Sequence, residues 1–348
     1  MIFRQLFDKT SSTYTYLLAS RPGGEALIVD PVLDNVPLYL RLIGELGLRL
    51  LKAVDTHAHA DHITGLGALR DSTRCITVMG EQAGVDTVSM RVADGDTIDI
   101  EGLSLRALYT PGHTDDSYCF AMADRVFTGD TLLIRGSGRT DFQNGDARAA
   151  YDSIFNKLLK LPDDTLVYPA HDYKGETVST IGEERRFNPR LHVRSAEEYA
   201  ALMADLKLAK PQMMDVAVPA NRKVGLDQAE LAAAGLSLEP SEISGRLPLK
   251  DMLLVDLRDD GERARTGIIP GSLHAPYGEL PHFLRSGGIL AELARASGRR
   301  LVFYCAFGER SALAVKAAME AGLPPPLNLR GGIDAWRKAG GPLERVAG

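Results

Sequence analysis

Between Thr56 and Gly65 the chain reads Thr-His-Ala-His-Ala-Asp-His-Ile-Thr-Gly, which places His57, His59, Asp61 and His62 within six residues. In an extended segment, side chains two apart point the same way. His57 and His59 can therefore aim at one point, while Asp61 and His62 return toward it as the chain turns. Neutral imidazoles and carboxylates are the usual ligands of borderline divalent metals. A plainer reading makes this stretch a polar loop at a helix start, with Asp61 or Thr64 as N-cap. It leaves unexplained why three of the chain's eight histidines stand here, so a metal site is the expectation. Three further points offer the same chemistry: His113 just past the Pro111-Gly112 turn, Asp130 just past Gly129, and His171 in the run Pro169-Ala170-His171-Asp172-Tyr173. Singly, each reads as a turn or a cap. Together they repeat an apolar strand, a tight turn and a metal-capable side chain, and loops at strand ends are where sites are built.

A second chemistry stands near the C-terminus, in Phe303-Tyr304-Cys305-Ala306-Phe307-Gly308-Glu309-Arg310-Ser311. A cysteine after a strand and before a helix sits where backbone N–H groups converge, and the helix dipole favours its thiolate. The alternative is a buried strand-end cysteine, which is common. Here the loop is short and holds Gly308 and Arg310, so it can wrap around the sulfur. Cys75 and Cys119 lie inside apolar runs and read as small buried residues. Three widely spaced cysteines do not make a disulfide framework.

Strands must deliver these groups. Residues 13–19 and 25–29 read as two strands around the turn Arg21-Pro22-Gly23-Gly24. The stretch 35–47 has helical spacing, with Leu38, Leu42 and Leu46 on one face and Gly47 as the stop. A strand over 50–55 leads into the histidine cluster, and further strands are expected at 75–79, 97–100, 104–109, 118–122 and 125–128. From 211 to 239 the pattern loosens, with Pro211, Pro219, Gly225 and an Ala-rich run, and reads as a closing segment and linker. A second α/β unit follows, with strands at 251–257 and 300–305 and an amphipathic helix over 309–321. The 348 residues exceed what one core usually serves, so two domains are expected, 1–236 and 237–348. A net charge of −6 and a pI near 5.8 provide no basic footprint, so neither nucleic acid nor an anionic membrane is expected as a partner. No apolar run approaches the roughly 20 residues that span a bilayer, and a cytoplasmic location is the default. The sequence leaves room for a homo-oligomer.

The order HxHxDH, TPGHT, TGD and a later strand-end histidine resembles the metallo-β-lactamase fold, over about residues 1–210. That resemblance implies an αββα sandwich with metal between two sheets. The scaffold serves dinuclear zinc hydrolases such as glyoxalase II and also non-hydrolytic iron enzymes. The stretches Ala60–Gly65, Gly138–Gln143, Pro169–Tyr173, Thr177–Arg185 and Asn188-Pro189-Arg190 resemble the glutathione persulfide dioxygenases. The resemblance implies one Fe(II) per chain held by His57, His113 and Asp130, two imidazoles and a carboxylate with positions left open for substrate and O2. His59, Asp61, His62 and His171 would then orient those ligands. These four also match the metal ligands of glyoxalase II, so the alternative is a dinuclear zinc glutathione thioester hydrolase with a rhodanese-like binding module. The same resemblance implies that Tyr173 and Arg190 bind glutathione, with Arg139 nearby. A guanidinium suits a carboxylate, and glutathione has two.

Cys305–Ser311 resembles the rhodanese loop CxxGxRS, and Asp256-Leu257-Arg258, Ile269-Pro270-Gly271 and Gly331-Gly332-Ile333-Asp334-Ala335-Trp336 resemble that family's other signatures. Ile268 stands where a histidine often precedes IPG, and Glu309 puts an acid inside the loop. The implied chain is an α/β fusion whose dioxygenase turns glutathione persulfide, O2 and water into sulfite and glutathione. Its rhodanese domain, with Cys305 and Arg310 as catalytic residues, would pass sulfane sulfur between thiosulfate and glutathione.

Overall fold

Apolar, largely β-branched or aromatic runs set the frame. Thr13–Ala19 is buried along its whole length, as befits a strand covered on both faces. The computed structural model describes residues 1–84, 88–206, 213–222 and 228–346, and they divide into two units, Met1–Gly84 with Arg91–Arg222, and Val85–Met90 with Lys223–Gly348.

The first sheet follows chain order through β1 (Ile2–Asp8), β2 (Thr13–Ala19), β3 (Glu25–Val29), β4 (Arg49–Val54), β5 (Ile76–Gly80) and β6 (Met90–Val92). Its first three strands are antiparallel, while β3, β4 and β5 run parallel. The second sheet contains β7 (Thr97–Ile100), β8 (Leu103–Tyr109), β9 (Tyr118–Ala121), β10 (Arg125–Gly129), β13 (Leu166–Pro169) and β14 (Ser179–Thr180), in the order β14-β13-β10-β9-β8-β7. A two-strand ribbon, β11 (Leu132–Leu133) with β12 (Gly136–Ser137), follows Asp130. The sheets meet through an aromatic layer: Tyr16 of β2 lies 5.0 Å from Phe127 of β10 and 5.5 Å from Tyr168 of β13, and its hydroxyl donates to the Pro169 carbonyl at 2.6 Å. Helix Leu66–Thr73 covers the first sheet. Helices Ala147–Asp152 and Ala196–Ala204 share a core with the second, in which Val126, Val167, Ala150 and Tyr199 are buried together. The result is an αββα sandwich.

The second unit has a parallel sheet, β15 (Ser237–Leu238), β16 (Met252–Asp256), β17 (Leu273–His274), β18 (Arg300–Tyr304) and β19 (Leu327–Leu329), ordered β15-β19-β18-β16-β17. Alternation along β18 shows why both faces are covered. Leu301 and Phe303 join one apolar cluster, with helices Ile289–Ser297 and Glu309–Glu320, and Val302 and Tyr304 join the other, with Trp336.

The segment read as a linker is more structured than its composition suggests. Met214–Asn221 is a helix of the first unit, and Gln228–Ala233 is a helix that groups with the second, ahead of the 236/237 boundary expected from sequence. Pro211 and Gly225 lie outside the described residues.

Candidate metal centre and cysteine loop

The strand β4 ends at Val54 and the chain turns through Thr56–Thr64 beneath the helix Leu66–Thr73. Three distant side chains hold this turn open toward the cavity. Asp30, at the end of β3, accepts from Thr56 N (2.7 Å), Thr56 Oγ1 (3.0 Å) and His59 Nε2 (3.1 Å). Asp116 accepts from Ala58 N at 2.9 Å. Asn221, 1% exposed, donates to the carbonyls of His59 and His62 (2.9 Å each) and accepts from Thr64 N at 2.8 Å. None of these three stands in a recognisable motif. Asp30 is legible only as a polar residue ending an apolar strand.

His57, His113 and Asp130 converge: one donor atom of each lies within 4.8 Å of the other two. Their outer atoms are spoken for, which leaves the inner ones free to ligate. His57 Nδ1 faces Thr56 Oγ1 at 3.0 Å, and since that hydroxyl donates to Asp30 it accepts from the imidazole, so His57 Nε2 carries the lone pair. His113 Nδ1 donates to the Arg139 carbonyl at 2.8 Å, so in the neutral ring the lone pair is on Nε2, which lies 3.5 Å from Asp130 Oδ2. Asp130 Oδ1 accepts from His171 Nδ1 at 2.6 Å. Burial, with the charge of His59, holds the His57 pKa well below its ordinary value, which keeps it a neutral ligand. Burial works against the Asp130 carboxylate, but the His171 imidazolium that donates to it outweighs burial and lowers its pKa. Two neutral imidazoles and a carboxylate are a donor set that suits a non-heme iron, so the residues present fit that ion.

Glycines allow the approach. Gly129 has φ +52, and a Cβ there would stand 2.8 Å from Thr56 Oγ1. At Gly138 a Cβ would meet the Asp130 carbonyl oxygen at 2.0 Å and His113 Nδ1 at 2.9 Å.

His59, Asp61, His62 and His171 form the adjoining layer. Asp61 Oδ2 accepts from His62 Nδ1 (2.9 Å), His171 Nε2 (2.9 Å) and Thr13 Oγ1 (3.0 Å). Since His171 donates to Asp130 and Asp61 from its two nitrogens, it is an imidazolium. Burial opposes that charge, but the two carboxylates raise its pKa well above the ordinary value. Burial likewise disfavours a charged His59, yet Asp30 raises it to about 9. His59 Nδ1 and His62 Nε2 are buried without a hydrogen-bond partner. Asp55, buried behind them, is pushed up by burial to about 7, against the pull of His59.

A cavity of about 770 Å³ opens on these groups, lined by His113, Asp130, Arg139, Gln143, Tyr173 and Arg190 among others. The three residues expected at the substrate thus share one space with His113 and Asp130, two of the three expected ligands. Their side chains differ in use. Tyr173, 73% exposed, stacks on His171 at 6.0 Å. Arg139 pairs with Asp141 and lies over Phe142, and its carbonyl holds His113. Gln143, missed in the sequence, donates to the Ala58 carbonyl at 2.8 Å.

In the second unit Cys305 follows β18 and is fully buried. Its Sγ accepts from Gly308 N at 3.1 Å and lies 3.7 Å from Ser311 Oγ. The sulfur therefore sits in the wrapped loop that the spacing suggested. Arg310, expected to act at the sulfur, is fully buried and spends its guanidinium on Glu262 (2.6 and 2.7 Å) and the Ser89 carbonyl (3.0 Å). Glu309 is also buried, with Ser89 Oγ donating to it at 2.9 Å.

Comparison with known proteins places these two sites in context. The model described as metallo-beta-lactamase superfamily matches residues 9–86 and 81–171, and that of the rhodanese-like domain matches 239–339. The chain is 49% identical over 229 residues to "Persulfide dioxygenase ETHE1, mitochondrial" of Homo sapiens, a match covering 65% of this chain and 89% of that one. The crystal structure of ETHE1 from Myxococcus xanthus is 52% identical and aligns with a TM-score of 0.62, covering 64% of this chain and 98% of that chain. A metallo-beta-lactamase structure from Staphylococcus aureus, 21% identical, aligns with a TM-score of 0.61 over 95% of this chain and 98% of that one, and shares the fold.

Proposed function

The chain belongs to the persulfide dioxygenases of the metallo-β-lactamase superfamily and carries a rhodanese domain; from this premise we propose that it oxidises glutathione persulfide at one Fe(II) held by His57, His113 and Asp130. Overall, glutathione persulfide, O2 and water become sulfite and glutathione. The observation that carries the reading is the convergence of three donor atoms whose outer partners, Thr56, the Arg139 carbonyl and His171, fix each lone pair inward.

Bound there, Fe(II) supplies the redox chemistry by which O2 reaches the persulfide sulfur. The chain's residues do the rest. His171 keeps Asp130 ionised and pinned through Oδ1. Asp30, Asp116 and Asn221 fix the turn that carries His57. Arg190 and Tyr173 hold glutathione within the 770 Å³ cavity, and Arg139 positions His113 through its carbonyl.

The rhodanese unit extends the substrate range. Cys305 attacks the sulfane sulfur of thiosulfate, the S–S bond breaks, sulfite leaves, and the cysteine persulfide passes its outer sulfur to glutathione. The loop's backbone donor at Gly308 supports a charged sulfur, and Arg310, engaged by Glu262, serves as a positioning residue. Linking the two activities in one chain raises the local concentration of the intermediate. A cytoplasmic location is kept as part of this proposal; among the described residues no helix is long and apolar enough to cross a membrane.

The alternative, a dinuclear zinc thioester hydrolase, draws on the unpartnered His59 Nδ1 and His62 Nε2 beside Asp61. It requires His171 to release a carboxylate. Metal analysis with O2 uptake separates the two. One iron per chain and uptake on glutathione persulfide are expected, both lost in Asp130→Ala. Two zinc ions per chain with thioester hydrolysis and no O2 uptake would overturn the proposal.

A further inference from the structure

Besides its histidines, the cavity is lined by four cationic side chains, and they fall into two pairs. Arg135 is engaged by Glu183 at 2.9 Å and by the buried Glu184. Arg139 is engaged by Asp141 at 2.7 and 2.9 Å. The other two meet no acid. Arg190 donates to the carbonyl of Ser137 and to its Oγ at 3.3 Å, and burial pulls its pKa down. Lys174 stands exposed beside Tyr173; its backbone N–H donates to Asp172 Oδ1 at 3.1 Å, and its ammonium has no partner among the described residues. Two cations without counter-charges in one cavity complement a ligand with two carboxylates.

We infer that Lys174 is a specificity-determining residue that takes the α-carboxylate of the γ-glutamyl end of glutathione persulfide, while Arg190 takes the glycyl carboxylate. The inference rests on the proposed glutathione persulfide reading and deepens it. Neighbouring groups assign the ends. Only the γ-glutamyl end carries an ammonium beside its carboxylate. Asp172, 7% exposed, lines the same cavity two residues before Lys174. Its charge is felt nearby, since burial and Asp172 together raise the Tyr14 hydroxyl. Asp61 and Asp130, the other carboxylates of that cavity whose partners are given above, are already engaged by His171. Lys174 and Asp172, which both line the cavity, thus bring a cation and an anion to a ligand end that carries the opposite pair, whereas Arg190 brings a guanidinium alone.

Truncated substrates separate the two ends. O2 uptake is measured with the persulfides of glutathione, of γ-glutamylcysteine, which lacks the glycyl carboxylate, and of N-acetylcysteinylglycine, which lacks the γ-glutamyl head. Lys174→Met should raise KM for glutathione persulfide about tenfold, with kcat and iron content held. That penalty should persist with γ-glutamylcysteine persulfide and vanish with N-acetylcysteinylglycine persulfide, and Lys174→Arg should restore the KM. Arg190→Met should show the mirror pattern. A Lys174→Met penalty that is absent, or equal for all three persulfides, overturns the inference while leaving the glutathione persulfide reading standing. A wild type that takes up no O2 with glutathione persulfide removes that reading, and the inference with it.

Discussion

Replacing Asn221 tests the architecture of the metal centre through a residue outside every recognisable motif. Its amide closes three hydrogen bonds on the turn that carries His57, to the carbonyls of His59 and His62 and from the N–H of Thr64. Asn221→Leu keeps the branched heavy-atom skeleton, removes all three bonds and leaves three buried backbone groups without partners. At about 1–3 kcal/mol for each unsatisfied buried group, the loss over three groups is on the order of 3–9 kcal/mol. For a unit of this size each kcal/mol moves Tm by about 2–4 °C, so a drop on the order of 10 °C is expected. Asn221→Ala opens space that a water can enter to replace part of the bonding, and its loss should be smaller. The order Leu worse than Ala is what lost hydrogen bonds require, since a cavity effect alone would make Ala the worse. Because the turn carries a ligand, iron affinity should also fall by about 10–100-fold. The assay is calorimetry of the full chain together with chelator competition for iron. Trp336, the only tryptophan in the sequence, is fully buried in the second unit, so its fluorescence reports that unit. A Leu variant that unfolds within about 2 °C of wild type and holds iron as tightly would refute the reasoning.

Further outcomes follow from other residues. Glu262→Gln leaves the Arg310 guanidinium buried beside a neutral partner, and should cost about 3–5 kcal/mol of second-unit stability at neutral pH, read by Trp336 fluorescence; Arg310→Met added to it should recover most of that loss. Burial raises the Glu262 pKa, but Arg310 outweighs it and the net shift is downward, so its contribution is fully present above the unfolded value near 4.3 and is lost as pH falls through the folded one. The gap between wild type and Glu262→Gln should therefore close in acid, and a gap that widens there contradicts the assignment. Cys305→Ser should keep O2 uptake on glutathione persulfide and lose uptake driven by thiosulfate plus glutathione; undiminished thiosulfate-driven uptake means that Cys305 is not the sulfur carrier. Arg190→Ala should retain iron and raise KM for glutathione persulfide about tenfold, whereas iron loss at unchanged KM would make Arg190 structural.

The residues that end strands were legible in the sequence because their signals are local. His57 follows an apolar run, His113 follows Pro-Gly, Asp130 follows a glycine, and Cys305 stands between a strand and a helix, so turn chemistry and periodicity alone locate them. The same patterns place most of the strands, whereas the αββα order and the second domain's fold were implied only by the resemblance that the motifs carry. What those patterns do not carry is the partner of a buried polar group. Asp30 meets Thr56 across 26 residues, Asp116 meets Ala58 across 58, and Asn221 meets His59 across 162. No spacing rule links such pairs. Asn221 even lies in a stretch whose prolines and alanines read as a linker, because composition reports local stiffness and not where a helix docks. Arg310 shows the same limit. Its place in the loop was plain from the motif, but its engagement by Glu262, 48 residues earlier, exists only once β16 and β18 lie side by side. Local sequence determined which side chains reach the two sites. The tertiary structure decided which of their atoms remain free, because that depends on hydrogen bonds closed by residues remote in the chain.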